Sequence, residues 1–307
     1  MPTNRRQFLE NMTGLGGAAL LAGLPAKEVL AAPSMPVSCN VYTWLTFFNR
    51  EGRDWNADLD RSLQEYAQSG LTAFEPSFYE AAQVTALAPL LKKYKLAMPS
   101  VYIGSALHKA DEAEQSMRTF QAIVDAIRPL GTKIVVTNPN PIRWGGPENK
   151  TDAELALQAK NLDALGAALR KKGMALAYHN HDVELRAGAR EFHHMLASTN
   201  PQNVKFCFDV HWVYRGCGNS QVAVFDVLKL YGKRVVELHI RQSVDGVWSE
   251  VFGEGDIDYA RFAAGLKNLG IRPHLVLEQC LEEKSAKTLS AAEATKRSRE
   301  YLEKVLK

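Results

Sequence analysis

From residue 37 onward, short apolar runs alternate with longer stretches whose apolar residues recur at helical spacing. The runs predict strands over 37–42, 72–75, 97–102, 133–137, 174–177, 204–209, 234–240 and 274–278. The stretches between them predict helices over 59–70, 84–94, 113–130, 152–172, 191–198, 222–231, 259–269 and 291–305. In the first of these, Leu59, Leu63, Tyr66 and Ala67 share one face and Gly70 ends the helix. Thr151 is a good cap for the fourth, and Gly173 stops it.

Eight strand–helix units in succession imply a parallel sheet with right-handed crossovers. No run of consecutive strands suggests a hairpin or a sandwich. Units of this number and size favour a closed (β/α)8 barrel in a single domain. An open doubly wound sheet is the alternative. Its dinucleotide-binding version needs a GxGxxG after the first strand, and none is there.

The first 32 residues stand outside this pattern. Thr3-Asn4-Arg5-Arg6-Gln7-Phe8-Leu9 resembles a twin-arginine signal, with a Gly/Ala/Leu segment from Met12 to Leu24 behind it. That segment is short for a membrane span, which takes about 20 residues. Lys27 then precedes the small residues Ala31 and Ala32, which suit a cleavage region. The expected organisation is a twin-arginine-type signal peptide over 1–32 and a barrel over 33–307. It implies the twin-arginine export machinery as a partner, a periplasmic or otherwise exported location, and no stable membrane span after cleavage.

Composition narrows the class without changing the fold. Of 307 residues, 46% are hydrophobic and the formal net charge is +3, which excludes disordered and collagen-like chains. With near-balanced charge and no long run of Lys or Arg, nucleic acid is not the expected partner. The four cysteines (Cys39, Cys207, Cys217 and Cys280) are scattered without CxxC spacing and read as core or loop thiols.

Candidate chemistry gathers where strands end, the face on which such barrels carry their active sites. Tyr178-His179-Asn180-His181-Asp182-Val183-Glu184 follows the fifth apolar run. The second strand ends in Glu75, the sixth in Asp209 with His211 just beyond, the seventh in His239 with Arg241 beyond, and the eighth in Glu278. Any one of these is as well explained as a helix cap or a satisfied core residue. Together they make one mouth lined by carboxylates and imidazoles, a set that suits one divalent metal ion (Mn, Mg, Co or Zn). Trp44, Tyr102, Trp144, Trp212 and Trp248 sit in loops or at strand ends; one or two are candidates for stacking on a sugar, and the others for packing.

YHNHDVEL (178–185), FDVHWVYRG (208–216), ELHIRQ (237–242), FGEGDIDY (252–259) and LEQ (277–279) resemble the xylose-isomerase-like TIM barrels, the sugar isomerases and epimerases related to endonuclease IV. The resemblance implies one divalent ion held by residues of strands five to eight. Three ligands carry over onto Asp209, His239 and Glu278. For the fifth strand, where many members have Glu-Asn-His, this chain has His-Asn-His. Glu184 is the expected ligand there, and His179 the alternative. Gly253–Tyr259 is a family marker read as structural.

The implied activity is proton abstraction α to the carbonyl of a keto-sugar, with Glu278, His181 and His211 as candidate catalytic groups and His179, Arg241 and Glu75 as substrate-binding groups. An exported sugar isomerase or epimerase is the first expectation. A 3-keto-glycoside lyase or hydratase with the same metal site is the alternative, favoured by the histidine at the fifth strand. Outside the cytoplasm an unphosphorylated sugar or glycoside is the expected substrate. A DNA-repair endonuclease and a non-catalytic sugar-binding barrel fit the charge and the ligand set less well.

Overall fold

The computed structural model describes residues 36–307, so the signal segment expected over 1–32 lies outside the described residues. Parallel pairing runs in order through Ser38–Asn40, Ala73–Glu75, Ser77–Phe78, Ser100–Ile103, Ile134–Thr137, Ala175–His179, Val204–Asp209, Val235–Ile240 and His274–Leu277, and His274–Leu277 pairs back onto Ser38–Asn40. These are eight barrel strands, because Ala73–Glu75 and Ser77–Phe78 are one strand interrupted at Pro76. Its first half pairs with strand one and its second with strand three. Pro76 has no N–H to give, but its carbonyl accepts from Tyr102 N at 2.9 Å, and Ala73 bridges Ala97, so the sheet closes. The expected (β/α)8 barrel is the observed fold.

Helices cover the outside of the sheet. Leu63, Phe120, Leu162, Phe192, Phe262 and Leu302, each from a different helix, are fully buried against it. The outward strand residues Phe206 and Phe208 join this layer. Alternate residues point into the lumen, since the pleat reverses side chains at every step. A small separate cluster of Ile134, Val136, Ala177 and Cys207 fills part of the lumen. The rest is polar: Asn40, Glu75, Ser100, Glu237 and His239 are all buried. The helix over Asp152–Lys171 has the expected cap as a full capping box, in which Thr151 and Glu154 each satisfy the other's backbone N–H.

Three local expectations are corrected. Val41 and Tyr42 do not continue the first strand. They open a helix over Val41–Arg50, because the Asn40 side chain accepts from Tyr42 N at 2.7 Å and caps it. Asp209 does the same for an unexpected helix over Val210–Gly216, accepting from Trp212 N at 2.8 Å. A two-stranded hairpin also exists, Ser243–Val244 with Val247–Trp248, turned by Asp245 and Gly246 at positive φ. It follows strand seven and lies outside the barrel sheet, and its strands are too short to leave a repeating pattern. Among the described residues no helix is long and apolar enough to cross a membrane.

Two predictions follow from packing. Gly166 is buried in the Asp152–Lys171 helix, and a Cβ there would run into the backbone carbonyl of Asn203. Alanine is the better helix former, yet Gly166→Ala is expected to destabilise the fold by about 1–3 kcal/mol, as overpacking does, read as a lower denaturant midpoint. His274 opens the eighth strand, buried, with Nε2 3.0 Å from Ser38 Oγ. Burial pushes its pKa down to about 4 from 6.5. A depressed folded pKa means that the unfolded chain takes up the proton first, so this contribution is complete above pH 6.5 and is lost as pH falls toward 4. Denaturation midpoints measured across that window should fall less steeply in His274→Gln than in the parent.

Candidate metal and active site

Strands five to eight each bring a residue at or next to their C-terminal ends to one mouth. His179 ends strand five, Asp209 ends strand six, His239 is one residue from the end of strand seven, and Glu278 follows strand eight. The register sets Asp209 opposite His239, and His239 opposite Val276, two residues before Glu278. Donor atoms of His179, Asp209, His239 and Glu278 all lie within 4.8 Å of one another, and all four residues are buried. His179 Nε2 is 3.6 Å from Asp209 Oδ2, and His239 Nδ1 is 3.3 Å from Glu278 Oε2.

A divalent ion fits this group. Both ring nitrogens of His179 are buried with no protein partner, a costly state for a polar atom that ligation would relieve. Two carboxylates and two imidazoles form a harder donor set than a thiolate site. Cys207 comes near His179 and His239, but burial raises its pKa far above the usual thiol range, and its Sγ lies 3.6 Å from Glu237 Oε1.

Glu184, the expected fifth-strand ligand, is not in the group. Its Oε1 accepts from Asn138 Nδ2 at 2.9 Å and its Oε2 from His181 N at 2.6 Å. Burial first, and then Glu191, pushes its pKa up to about 7. The physical reason is the chain path. Strand five ends at His179, and Glu184 lies in the following short 3-10 turn, where its carboxylate braces the backbone that carries His181. Asn138, just past strand four, also donates to His179 O at 3.0 Å. It went unnoticed in the sequence, although its place at a strand end was a usable signal.

Glu75 is corrected as well. It was expected at the mouth as a substrate-binding residue, but its strand continues past Pro76 to Phe78, which leaves Glu75 mid-strand and one layer down. It accepts from Asn40 Nδ2 at 2.6 Å and Ser100 Oγ at 2.9 Å. Its Oε2 lies 3.0 Å from His239 Nε2, an ion-pair distance. Glu237, two residues before His239 on the same strand face, is 3.5 Å from the same nitrogen. Period-two spacing was the signal for it. Burial opposes charge on His239, but Cys207, Glu75 and Glu278 outweigh it and raise its pKa well above the usual histidine range. Glu75 and Glu237 thus face His239 Nε2 at ion-pair distance, while Nδ1 faces Glu278 of the ligand group.

Arg241 is fully buried and bridges two of the four group residues, with Nη2 2.5 Å from Glu278 Oε2 and 3.2 Å from Asp209 Oδ2. Its guanidinium lies over the Trp248 ring at 4.6 Å and the Trp212 ring at 5.0 Å. Nε and Nη1 have no protein partner. Burial raises Glu278, but Arg241 and His239 hold its carboxyl well below the usual range. Asp209 goes the other way, raised to about 7 because burial outweighs Arg241. His181 stands beside His179, with ring centroids 4.7 Å apart, between Trp144 at 5.1 Å and Trp212 at 5.6 Å. Burial, and then His179, lowers its pKa to about 3, and its Nδ1 is unpartnered.

His211 does not join them. Its Nε2 is 2.9 Å from Ser243 Oγ, Ser243 donates to Asp256 Oδ2 at 2.6 Å, and its ring packs on Tyr214 and Trp248. None of these contacts reaches the four-residue group. Asp256 of the Gly253–Tyr259 segment also accepts from Asp245 N and Gly246 N, and Gln242 bonds Gly253 O and Ile257 O, so the segment braces the loop after strand seven.

Metal binding measured by titration calorimetry separates the roles. His179→Ala is expected to lose divalent-ion binding, and Glu184→Gln to retain it; the reverse result would return the fifth-strand position to Glu184. Glu75→Gln should weaken binding about 10–100-fold, as loss of a partner that orients a metal ligand does.

Comparison with known proteins agrees with this geometry. The family described as the xylose isomerase-like TIM barrel matches residues 63–305. The chain is 24% identical to an inosose dehydratase of Clostridium perfringens over 248 residues, 71% of this chain and 81% of that one. It superposes on D-psicose 3-epimerase from Clostridium cellulolyticum with a TM-score of 0.68 at 13% identity, covering 89% of this chain and 100% of that one. A sugar phosphate isomerase/epimerase from Parabacteroides distasonis gives a TM-score of 0.66 at 17% identity, covering 91% and 98%. The barrel, its strand-end cluster of His, Asp and Glu, and the match over most of the sequence agree, and the chain belongs to the xylose isomerase-like TIM barrel family.

Proposed function

We propose that the chain is an exported carbon–oxygen lyase, which removes the proton next to the carbonyl of a keto-sugar or keto-glycoside and expels an oxygen substituent from the next carbon. The observation that carries this reading is His179 at the end of strand five, within the ligand group. A symmetric proton exchange uses a carboxylate on each face of the substrate. With an imidazole at strand five and Glu184 turned to Asn138 and His181 N, strand five offers no carboxylate to partner Glu278 in such an exchange. Elimination needs only one group that first accepts and then returns a proton.

His181 is assigned that part. It is neutral, at the half-buried mouth, and its Nδ1 is free of protein partners. It takes the C–H proton, the C–H electron pair becomes a carbon–carbon double bond, and the bond to the leaving oxygen breaks. The leaving oxygen then takes the proton back from His181. Arg241 offers Nε and Nη1 to substrate oxygens while Nη2 holds Asp209 and Glu278 in place. His179, Asp209, His239 and Glu278 would hold one divalent ion, which supplies polarisation of the carbonyl and acidifies the neighbouring C–H.

Likeness to inosose dehydratases, named for a dehydration, supports the elimination. The Arg5-Arg6 leader read from the sequence supports an unphosphorylated substrate. The isomerase or epimerase reading keeps support from Glu278, whose carboxylate stays ionised beside Arg241. Incubation of keto-sugars and 3-keto-glycosides in D₂O separates the two. Release of an alcohol or water with loss of the substrate's α-hydrogen and appearance of the conjugated enone is expected, and isomeric products carrying deuterium α to the carbonyl without release would favour the epimerase. His181→Gln is expected to cut release of the leaving group by about 10²–10⁴-fold, the usual worth of a general base, with metal content unchanged.

A further inference from the structure

Trp144 is 56% exposed, yet its ring is set against His181 at 5.1 Å, edge to face. Its loop is built rather than loose. Arg186 Nη1 donates to Gly146 O at 2.6 Å, Arg143 pairs with Glu148 at 2.7 Å, and Gly146 N closes a turn onto Arg143 O at 3.1 Å. Gly145 takes φ +72°, a backbone conformation that favours glycine. Tyr42, 51% exposed, is the second residue of the helix after strand one. Trp144 follows strand four and Tyr42 follows strand one, so the strand order sets the two on different sides of the barrel mouth. An exposed tryptophan carries apolar area that water does not reward, and a braced loop holding one beside a catalytic histidine calls for a partner from solution.

We infer that Trp144, with Tyr42 opposite, forms a subsite for a second ring of the substrate, so that the natural substrate is a glycoside whose leaving group carries an aryl or sugar ring. This rests on the lyase reading, in which the leaving group departs past His181 toward the mouth. The ring lies flat on the Trp144 face that solvent now covers. A free keto-monosaccharide fills the inner site and leaves this face bare.

Affinity for unreactive glycosides tests the subsite without turnover. Phenyl β-glucoside, cellobiose and methyl β-glucoside are titrated into the metal-loaded protein by calorimetry. The phenyl glucoside or the disaccharide should bind about tenfold tighter than the methyl glucoside, equivalent to roughly 1.4 kcal/mol. Trp144→Ala should shrink that ratio toward one, and Trp144→Phe should keep most of it. Which of the two ligands shows the gain tells an aryl from a sugar leaving group. Equal affinities in the parent protein, a ratio unchanged in Trp144→Ala, or no binding of any ligand at millimolar concentration overturns the inference. A preserved ratio together with no release of alcohol from any keto-glycoside would leave the subsite standing and remove the lyase reading.

Discussion

Asp209 and Glu278 are two carboxylates buried within a few ångströms of each other, and the site is organised around keeping them there. Bare, such a pair would protonate or force the mouth apart. Arg241 Nη2 meets one oxygen of each, and His239 Nδ1 adds a second positive neighbour to Glu278. The guanidinium lies in turn over the rings of Trp212 and Trp248. Removing Arg241 would therefore not only delete a candidate substrate contact but also leave two buried charges facing each other, which is costly in a way that an exposed ion pair is not.

The same electrostatic logic extends downward. Below the mouth the lumen carries Glu75 and Glu237 rather than the branched aliphatic layers common in such barrels. Asn40 and Ser100 donate to Glu75, and both carboxylates face His239 Nε2. They pull one face of His239 toward the lumen and so present the other to the mouth. A polar lumen costs hydrophobic stabilisation there. The outer layer of helices supplies it, with residues such as Phe120, Leu162 and Phe262 fully buried against the sheet.

Function follows from the side chains that this scaffold leaves free. His181 Nδ1, His179, and Arg241 Nε and Nη1 are buried polar atoms without protein partners. They converge near His179, His181 and Arg241, at the end of the barrel where strand-end residues meet. Such concentrated unsatisfied polarity is rare in folded proteins and clusters where substrates or ions complete the bonding. The Trp144 loop adds a built apolar surface at the rim of that same region.

Much of this was legible in the residues themselves. Alternating apolar periods fixed eight strand–helix units, because a parallel barrel strand is buried on both sides and its helix on one. Reading the strand ends then named Asp209, His239 and Glu278, since the fold must gather them. What the residues could not disclose was depth and direction. Glu75 looks like a strand end until the chain is seen to pair on beyond Pro76, so a residue expected at the mouth sits below it. His179, His181 and Glu184 are all within six positions, and composition cannot say which turns inward. The strand ends at His179 and the next turn carries Glu184 sideways to Asn138, a choice made by backbone path and hydrogen bonding across strands. Sequence determined that Asp209, His239 and Glu278 meet at the mouth. Only the tertiary structure decided which atoms face it, because facing depends on where each strand stops and on neighbours far away in the chain.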